Sequence, residues 1–518
     1  MFKKIVVLIM AVAIILGITA CSSKTPQGNN PQTSTPGSSA APVKNTINIA
    51  IGSDPGTLDP LGASANDAWG QISLQIYDQL FTYDQSMKEI PMLAKSWDKP
   101  DELTYIFHLR EGVKYSSGTE FKASDVLFSL NLNKNDPTGS LLVAKIDWDN
   151  TKVIDDNTIQ IAYVEPNAPS FPQLAYLRIV SEKEYNASPD KMLTTPVGTG
   201  PYMLSKWVTG SSITLVANPN YWGEKPQIET VNYKIITDAS QRTNALLAGD
   251  VDLALDIAPS DVEIINKDKN YTTAINSSNA NETIIFNTTS NSVCQDVNVR
   301  KAIAYAINKE GIRKVAYSGL GNLAISPLPS FFLDYDKSWN ADGYLDYNIE
   351  KAKEAIKNAG IPEGTKLKII NRGIAVHLAV SQVIQANLKE IGLDVEIVSY
   401  DPSVYTMNAM NPAGGWDMAM YSMGCPSFLT ADCYNAFLLN LAIGGYKADD
   451  FVATINKALA ETDLTKMAPY SKQLNEIILR DVPMFAYMET PIINAFNNSL
   501  NGYTLGYINN IPVRLLSF

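Results

Sequence analysis

The sequence predicts an α/β protein of two or more domains, in which helices cover largely parallel sheets. Three observations carry this. Lys366–Ile370, His377–Ile391 and Leu393–Ile397 read as strand, amphipathic helix and strand, a β-α-β unit whose crossover is expected to be right-handed. Ile47–Ile51 alternates at period two and is followed by a helical stripe at Trp69, Ile72, Ile76 and Leu80. A chain of 518 residues exceeds what one hydrophobic core organises.

The first element is a leader. Lys3 and Lys4 precede an apolar run from Ile5 to Ile18, too short and wrongly flanked for a permanent membrane span. The run ends in Ile18-Thr19-Ala20-Cys21, which resembles a bacterial lipobox, so residues 1–20 are expected to be a signal peptide and Cys21 the lipidated first residue of the mature chain. An ordinary secreted protein with a chance cysteine is the alternative. Residues 21–45 are rich in Ser, Thr, Pro, Gly, Asn and Gln, the composition of a disordered tether. These features place the protein on the extracytoplasmic face of a bacterial membrane, held there by its lipid.

In the remainder, Gly52-Ser53-Asp54-Pro55-Gly56 breaks the first strand before the helical stripe. Thr104–Leu109 and Thr158–Ala162 are the clearest strands of a β-rich stretch at 103–165. His108 reads there as a satisfied sheet residue. Val299, Ile303 and Ile307 form a further helical stripe with Asp296 as its N-cap. Gly392 closes the helix of the β-α-β unit.

Composition narrows the function. The formal net charge of −12 argues against nucleic acid as a partner, since phosphate binding needs concentrated Lys and Arg. Mean hydropathy is −0.07, and no second run approaches the roughly 20 apolar residues of a bilayer span. Two histidines cannot build a His-rich metal site, and no cofactor is expected. Besides Cys21 there are Cys294, Cys425 and Cys433; the last two are close enough in sequence to pair across a loop, with their state left open. No HExxH, CxxC, GxSxG or Walker loop occurs, so no signature supports an enzyme, and a surface-tethered hydrolase is the reading from that class.

A set of segments then comes in order: Ser53–Pro60, Pro91–Trp97, Tyr105–Tyr115, Ala123–Ser129, Pro196–Tyr202, Asn218–Trp222 and Asp296–Ile303. Together they resemble the extracytoplasmic solute-binding proteins of peptide-type ABC importers, over nearly all of residues 46–518. Most of these positions are expected to serve the scaffold: Gly198, Gly200 and Pro201 as turn residues, Arg110 and Glu111 as a solvated pair, Trp97 and Trp222 in packing.

The resemblance implies a two-lobed, type II periplasmic-binding-protein-like α/β fold with an extra subdomain in the first lobe. Lobe I is expected at 46–286 and 490–518, the subdomain at about 75–195, and lobe II at 287–489. Hinge strands are expected near Ile284–Asn287 and Pro483–Tyr487. The implied protein is a monomer that encloses a small-molecule ligand and hands it to ABC permease subunits.

Peptide-binding members pair main-chain groups with an extended ligand. By motif position this assigns Asp54 and Gly56 from the first lobe and Tyr421 and Ser422 from the second. The aspartate that commonly takes the peptide ammonium is missing from Tyr421–Phe428, and Asp432 is the nearest candidate, its alternative an exposed loop carboxylate. Arg372, between strand and helix, is the candidate clamp for the peptide carboxylate, its alternative a surface arginine. Peptide is the leading cargo. An oligosaccharide or other small solute stays open, favoured by the missing aspartate and by 25 Tyr and 7 Trp, whose faces stack on sugar rings.

Overall fold

A computed structural model describes residues 44–61, 67–84, 87–136, 139–340, 343–506 and 508–518. The leader, Cys21 and the expected tether as far as residue 43 lie outside the described residues; its last two residues are ordered, Lys44 pairing with Asp252 and Asn45 O accepting from Glu229 N.

Alternating apolar residues at Ile47, Ile49 and Ile51 form the strand Thr46–Ile51, which pairs in parallel with Thr230–Ile235. The β-α-β unit is present as Thr365–Asn371, Ala375–Lys389 and Leu393–Ser399, the two strands being parallel. Asp296 caps the helix Val297–Ala306, its Oδ1 accepting from Asn298 N at 2.7 Å. The stripe at 69–80 is helical only over Asp67–Ile76; Leu80 lies beyond the helix and is buried.

Among the described residues one mixed sheet of ten strands joins both ends of the molecule. Its order is Leu393–Ser399, Thr365–Asn371, Met418–Met423, Tyr271–Phe286, Met484–Asn497, Leu253–Ala254, Thr46–Ile51, Thr230–Ile235, Ser212–Ala217 and Tyr202–Val208. Two long antiparallel strands, Tyr271–Phe286 and Met484–Asn497, cross its middle. One end of this pair lies beside Leu253–Ala254 and the other beside Met418–Met423. Their pairing breaks between Ser277 and Asn281, opposite Glu489–Pro491. The segments expected as hinges, around 284–287 and 483–487, pair with each other, Ile284 opposite Phe485, and a second shift of register, between Glu282 and Thr283, passes over Tyr487 at their edge.

A second sheet, Ala94–Asp101, Thr104–Leu109, Thr158–Ala162 and Lys152–Asp155, stands apart within the stretch expected as a subdomain. It packs through Phe81, Trp97, Phe107 and Phe171, whose rings lie 4.6–6.4 Å apart. This part of the chain reaches the helices of residues 430–481: Ala168 N donates to Leu459 O at 2.8 Å.

Several motif residues do work that the sequence did not show. Gly198 is not held by turn geometry; a Cβ there would lie 2.0 Å from Ile76 O, so glycine lets two backbones meet at the end of helix Asp67–Ile76. Arg110 is not paired with Glu111; its guanidinium lies 4.6 Å over the Trp222 ring, and Trp222 Nε1 donates to Asp78 at 2.7 Å. Cys425 and Cys433 are free, buried thiols.

Candidate functional site

The break in the crossing strands opens into a cavity of about 550 Å³ walled from both sides. Gly52 and Ser53, at the end of the first strand, line one wall. Ser422, on the strand Met418–Met423, lines the other, and Ser278–Ala280 and Thr490 form the floor. Strand ends meet here because the apolar alternation that buries each strand stops at Ile51 and at Met423, leaving small and polar residues at the opening.

Ser422 belongs to a hydrogen-bonded chain that leads out of the cavity. Its Oγ is 3.1 Å from Thr490 Oγ1, and Thr490 donates to Glu282 Oε1 at 3.0 Å. Glu282 is 6% exposed; its Oε2 makes no hydrogen bond and lies 3.6 Å from His377 Nε2. A buried carboxylate so partnered is costly to break apart, so the chain ties both crossing strands to helix Ala375–Lys389.

Tyr421 is buried, and its ring faces Arg372, whose guanidinium lies 5.8 Å from the ring centres of both Tyr421 and Tyr405. Arg372 is half-buried and forms no ion pair among the described residues. Thr365–Asn371 pairs with Met418–Met423 only at Met418 and Ala419. Among the described residues the edge from Met420 to Met423 therefore has no neighbouring strand on that side; the Tyr405 hydroxyl donates to Met420 O there.

The other assigned residues are elsewhere. Asp54 is turned to a hairpin: Oδ2 accepts from Gly210 N at 2.6 Å and Oδ1 from Gly56 N at 2.8 Å. Asp54 to Gly56 is thus a turn rather than a strand, and Gly56 is exposed with φ 72°. Asp432 is neither in this cavity nor an exposed loop carboxylate. It lies on the short helix Thr430–Tyr434 and lines a separate space of about 810 Å³ facing Leu141–Tyr176. Ser427 donates to its Oδ2 at 2.6 Å, while burial raises its pKa above the ordinary carboxylate value. The structure therefore places Ser422 on the cavity and Tyr421 beside Arg372, neither of which is among the residues lining it, and Asp54, Gly56 and Asp432 do not line it either.

Sequence reasoning passed over Asp67, Asp256, Glu282 and Thr490. Asp67 and Asp256 line the cavity. Neither stood in a motif, and the left-handed φ of 53° at Asp256 was the one local peculiarity, invisible before folding. Among the described residues no group of three or more His, Cys, Asp or Glu side chains is placed to hold a metal ion.

Residues 88–442 match the model of the bacterial extracellular solute-binding proteins, family 5. The chain belongs to that family. It is therefore a solute-binding protein of the kind that serves ABC importers, and its relatives are binding proteins rather than enzymes. It is 29% identical to the dipeptide-binding protein of Escherichia coli (strain K12), over 71% of this chain and 74% of that one. It is 28% identical to heme-binding protein A of Haemophilus influenzae, over 82% and 84%. Among solved structures, the periplasmic binding protein DppA from Helicobacter pylori in complex with peptide STSA superposes with a TM-score of 0.77 at 25% identity, covering 92% of this chain and 98% of that one. The fold of this family member is the two-lobed periplasmic-binding-protein fold.

Proposed function

We propose that this chain is the membrane-tethered solute-binding subunit of an ABC importer, capturing short peptides between two hinged lobes and delivering them to the permease. The observation that carries the reading is the open strand edge from Met420 to Met423, beside a cavity walled by Ser53 and Ser422. An extended peptide can add to such an edge through its backbone, which makes recognition tolerant of side-chain sequence. Arg372, without an ion-pair partner and beside Tyr421, is available to a ligand carboxylate. The names of the Escherichia coli and Helicobacter pylori relatives support the same class of cargo.

We place the lobe boundary where the crossing strands lose register, at Ser277–Asn281 and Glu489–Pro491, rather than at 286/287. Closure about this point is a hinge motion, driven only by the ligand's stronger binding to the closed form. The lipid anchor at Cys21 rests on the order of basic residues, apolar run and cysteine in the leader. Among the described residues no helix is long and apolar enough to cross a membrane. The protein works as a monomer in this reading.

A second reading keeps the scaffold and changes the cargo to an oligosaccharide or another small solute. It is favoured by the displacement of Asp432 from the cavity. Calorimetric titration with mixed short peptides and with neutral oligosaccharides separates the two. Peptide binding with no sugar response is expected; the reverse would replace the first reading with the second.

A further inference from the structure

Two thiols meet beside the cavity of about 810 Å³, shortly after the strand Met418–Met423. The chain leaves that strand and turns back at Phe428, whose φ is 54° and whose N–H donates to Cys425 O at 3.2 Å. Helix Thr430–Tyr434 then carries Cys433 back toward Cys425. One carbonyl touches both residues: Leu429 O accepts from Cys433 N at 3.0 Å and from the Cys425 thiol at 3.5 Å. The two thiols also act on each other. Burial first, and then the hydrogen bond and charge of Cys425, raise the pKa of Cys433 well above the ordinary thiol value. Cys294, also buried, packs in a separate part of the core.

The pair differs in access. Cys425 lines the cavity and keeps 5% of its surface exposed, whereas Cys433 has none. A small reagent entering the cavity reaches the first thiol directly and the second only through it. Cys425 also has an outlet for its proton. Its Sγ lies 3.4 Å from Ser427 Oγ, and Ser427 donates to Asp432 Oδ2 at 2.6 Å. Asp432 is enclosed, and its burial favours the protonated form, so it can take up a proton handed on by Ser427. A thiol open to a cavity, joined to a proton acceptor and backed by a second thiol is the arrangement of a redox cysteine with its resolving partner. Cytosolic reductants do not protect the thiols of an extracellular solute-binding protein.

We propose that Cys425 is a peroxide-reactive thiol and that Cys433 resolves it into a disulfide. Cys425 gives its proton through Ser427 to Asp432, and the thiolate attacks one oxygen of hydrogen peroxide. The O–O bond breaks, the sulfur becomes a sulfenic acid, and the departing hydroxide takes the proton from Asp432 and leaves as water. The Cys433 sulfur then attacks that of Cys425; the S–S bond forms, and the sulfenic hydroxyl leaves with the Cys433 proton as a second water. Two thiols are oxidised by two electrons and one peroxide is reduced. The bond joins the end of strand Met418–Met423 to the helix that carries Asp432, within one wall of the cavity. Neither cysteine lines the cavity at the strand break, so the proposal stands whichever solute the protein carries.

Peptide mapping tests this. The full chain is reduced, freed of reductant, treated with hydrogen peroxide, then denatured in iodoacetamide and digested. A linked Cys425–Cys433 peptide is expected, with Cys294 still alkylated. In Cys433→Ser, Cys425 should stop at the sulfenic acid, which dimedone traps; in Cys425→Ser, Cys433 should stay alkylatable. In the Cys433→Ser background, Asp432→Asn should slow sulfenic acid formation by about tenfold or more. Matching thermal midpoints would show that the variants are folded, and the wild-type map decides alone where one is not. Cys425 and Cys433 both alkylated after treatment, a link to Cys294, or sulfonic acid on Cys425 without a disulfide would overturn the proposal. An unchanged rate in the Asp432→Asn variant would overturn the proton route through Ser427.

Discussion

Lys309 begins the helix Lys309–Ala316 and is 8% exposed, close to one of the crossing strands. Its ammonium donates to Ala324 O at 3.0 Å and Tyr344 O at 3.1 Å, and lies 4.2 Å over the Tyr344 ring and 5.0 Å from that of Phe485. These contacts do not replace its lost water, and burial pulls its pKa down from 10.5 to about 8, with Asp346 opposing. The sign follows from proton counts. Between pH 8 and 10.5 the unfolded chain holds a proton on Lys309 that the folded chain has released, so this group adds stability as pH rises. Each pKa unit is worth about 1.4 kcal/mol, so the change across the window is roughly 3 kcal/mol. Lys309→Met removes the titration. Urea unfolding of both proteins from pH 7 to 10.5 should show the stability difference, variant minus wild type, falling by about 3 kcal/mol, with unchanged m-values. A difference that stays constant within about 0.5 kcal/mol would refute the burial argument.

Gly198→Ala should destabilise by roughly 1–3 kcal/mol or more, since its Cβ meets Ile76 O, a backbone atom that cannot swing away; urea midpoints measure it, and a neutral result would contradict the close approach. Cys21→Ala should release the protein from membranes or leave it unprocessed, read by fractionation and intact mass; retention with cleavage at the same bond would remove the lipid-anchor assignment. Arg372→Gln should weaken peptides with a free carboxylate by tens-fold or more and spare C-amidated ones; equal losses on both would assign Arg372 to packing against Tyr405 and Tyr421.

What could be read from the sequence was local. Asp296 and the stripe Val299–Ile303 define a helix from within eight residues, and the β-α-β unit at 365–399 carries its own periodicity and stop signal. The crossing strand was harder because Tyr271–Asn281 is largely polar, and its pairing with residues near 490 comes only from long-range packing. The loss of register that shapes the cavity is a property of two distant segments together. Tyr421, Ser422 and Arg372 could be placed on or next to strands because those strands carry clear patterns. Asp432 was misplaced because a short helix and the Ser427 hydroxyl draw it into another space.

The central claim is that a solute is captured by hinged closure about Ser277–Asn281 and Glu489–Pro491. Small-angle scattering of the ligand-stripped protein, with and without saturating tri-alanine, tests it most directly. The account predicts a smaller radius of gyration with peptide, reversed on its removal. Binding confirmed by calorimetry with unchanged dimensions would contradict it, because the solute would then occupy a preformed rigid site.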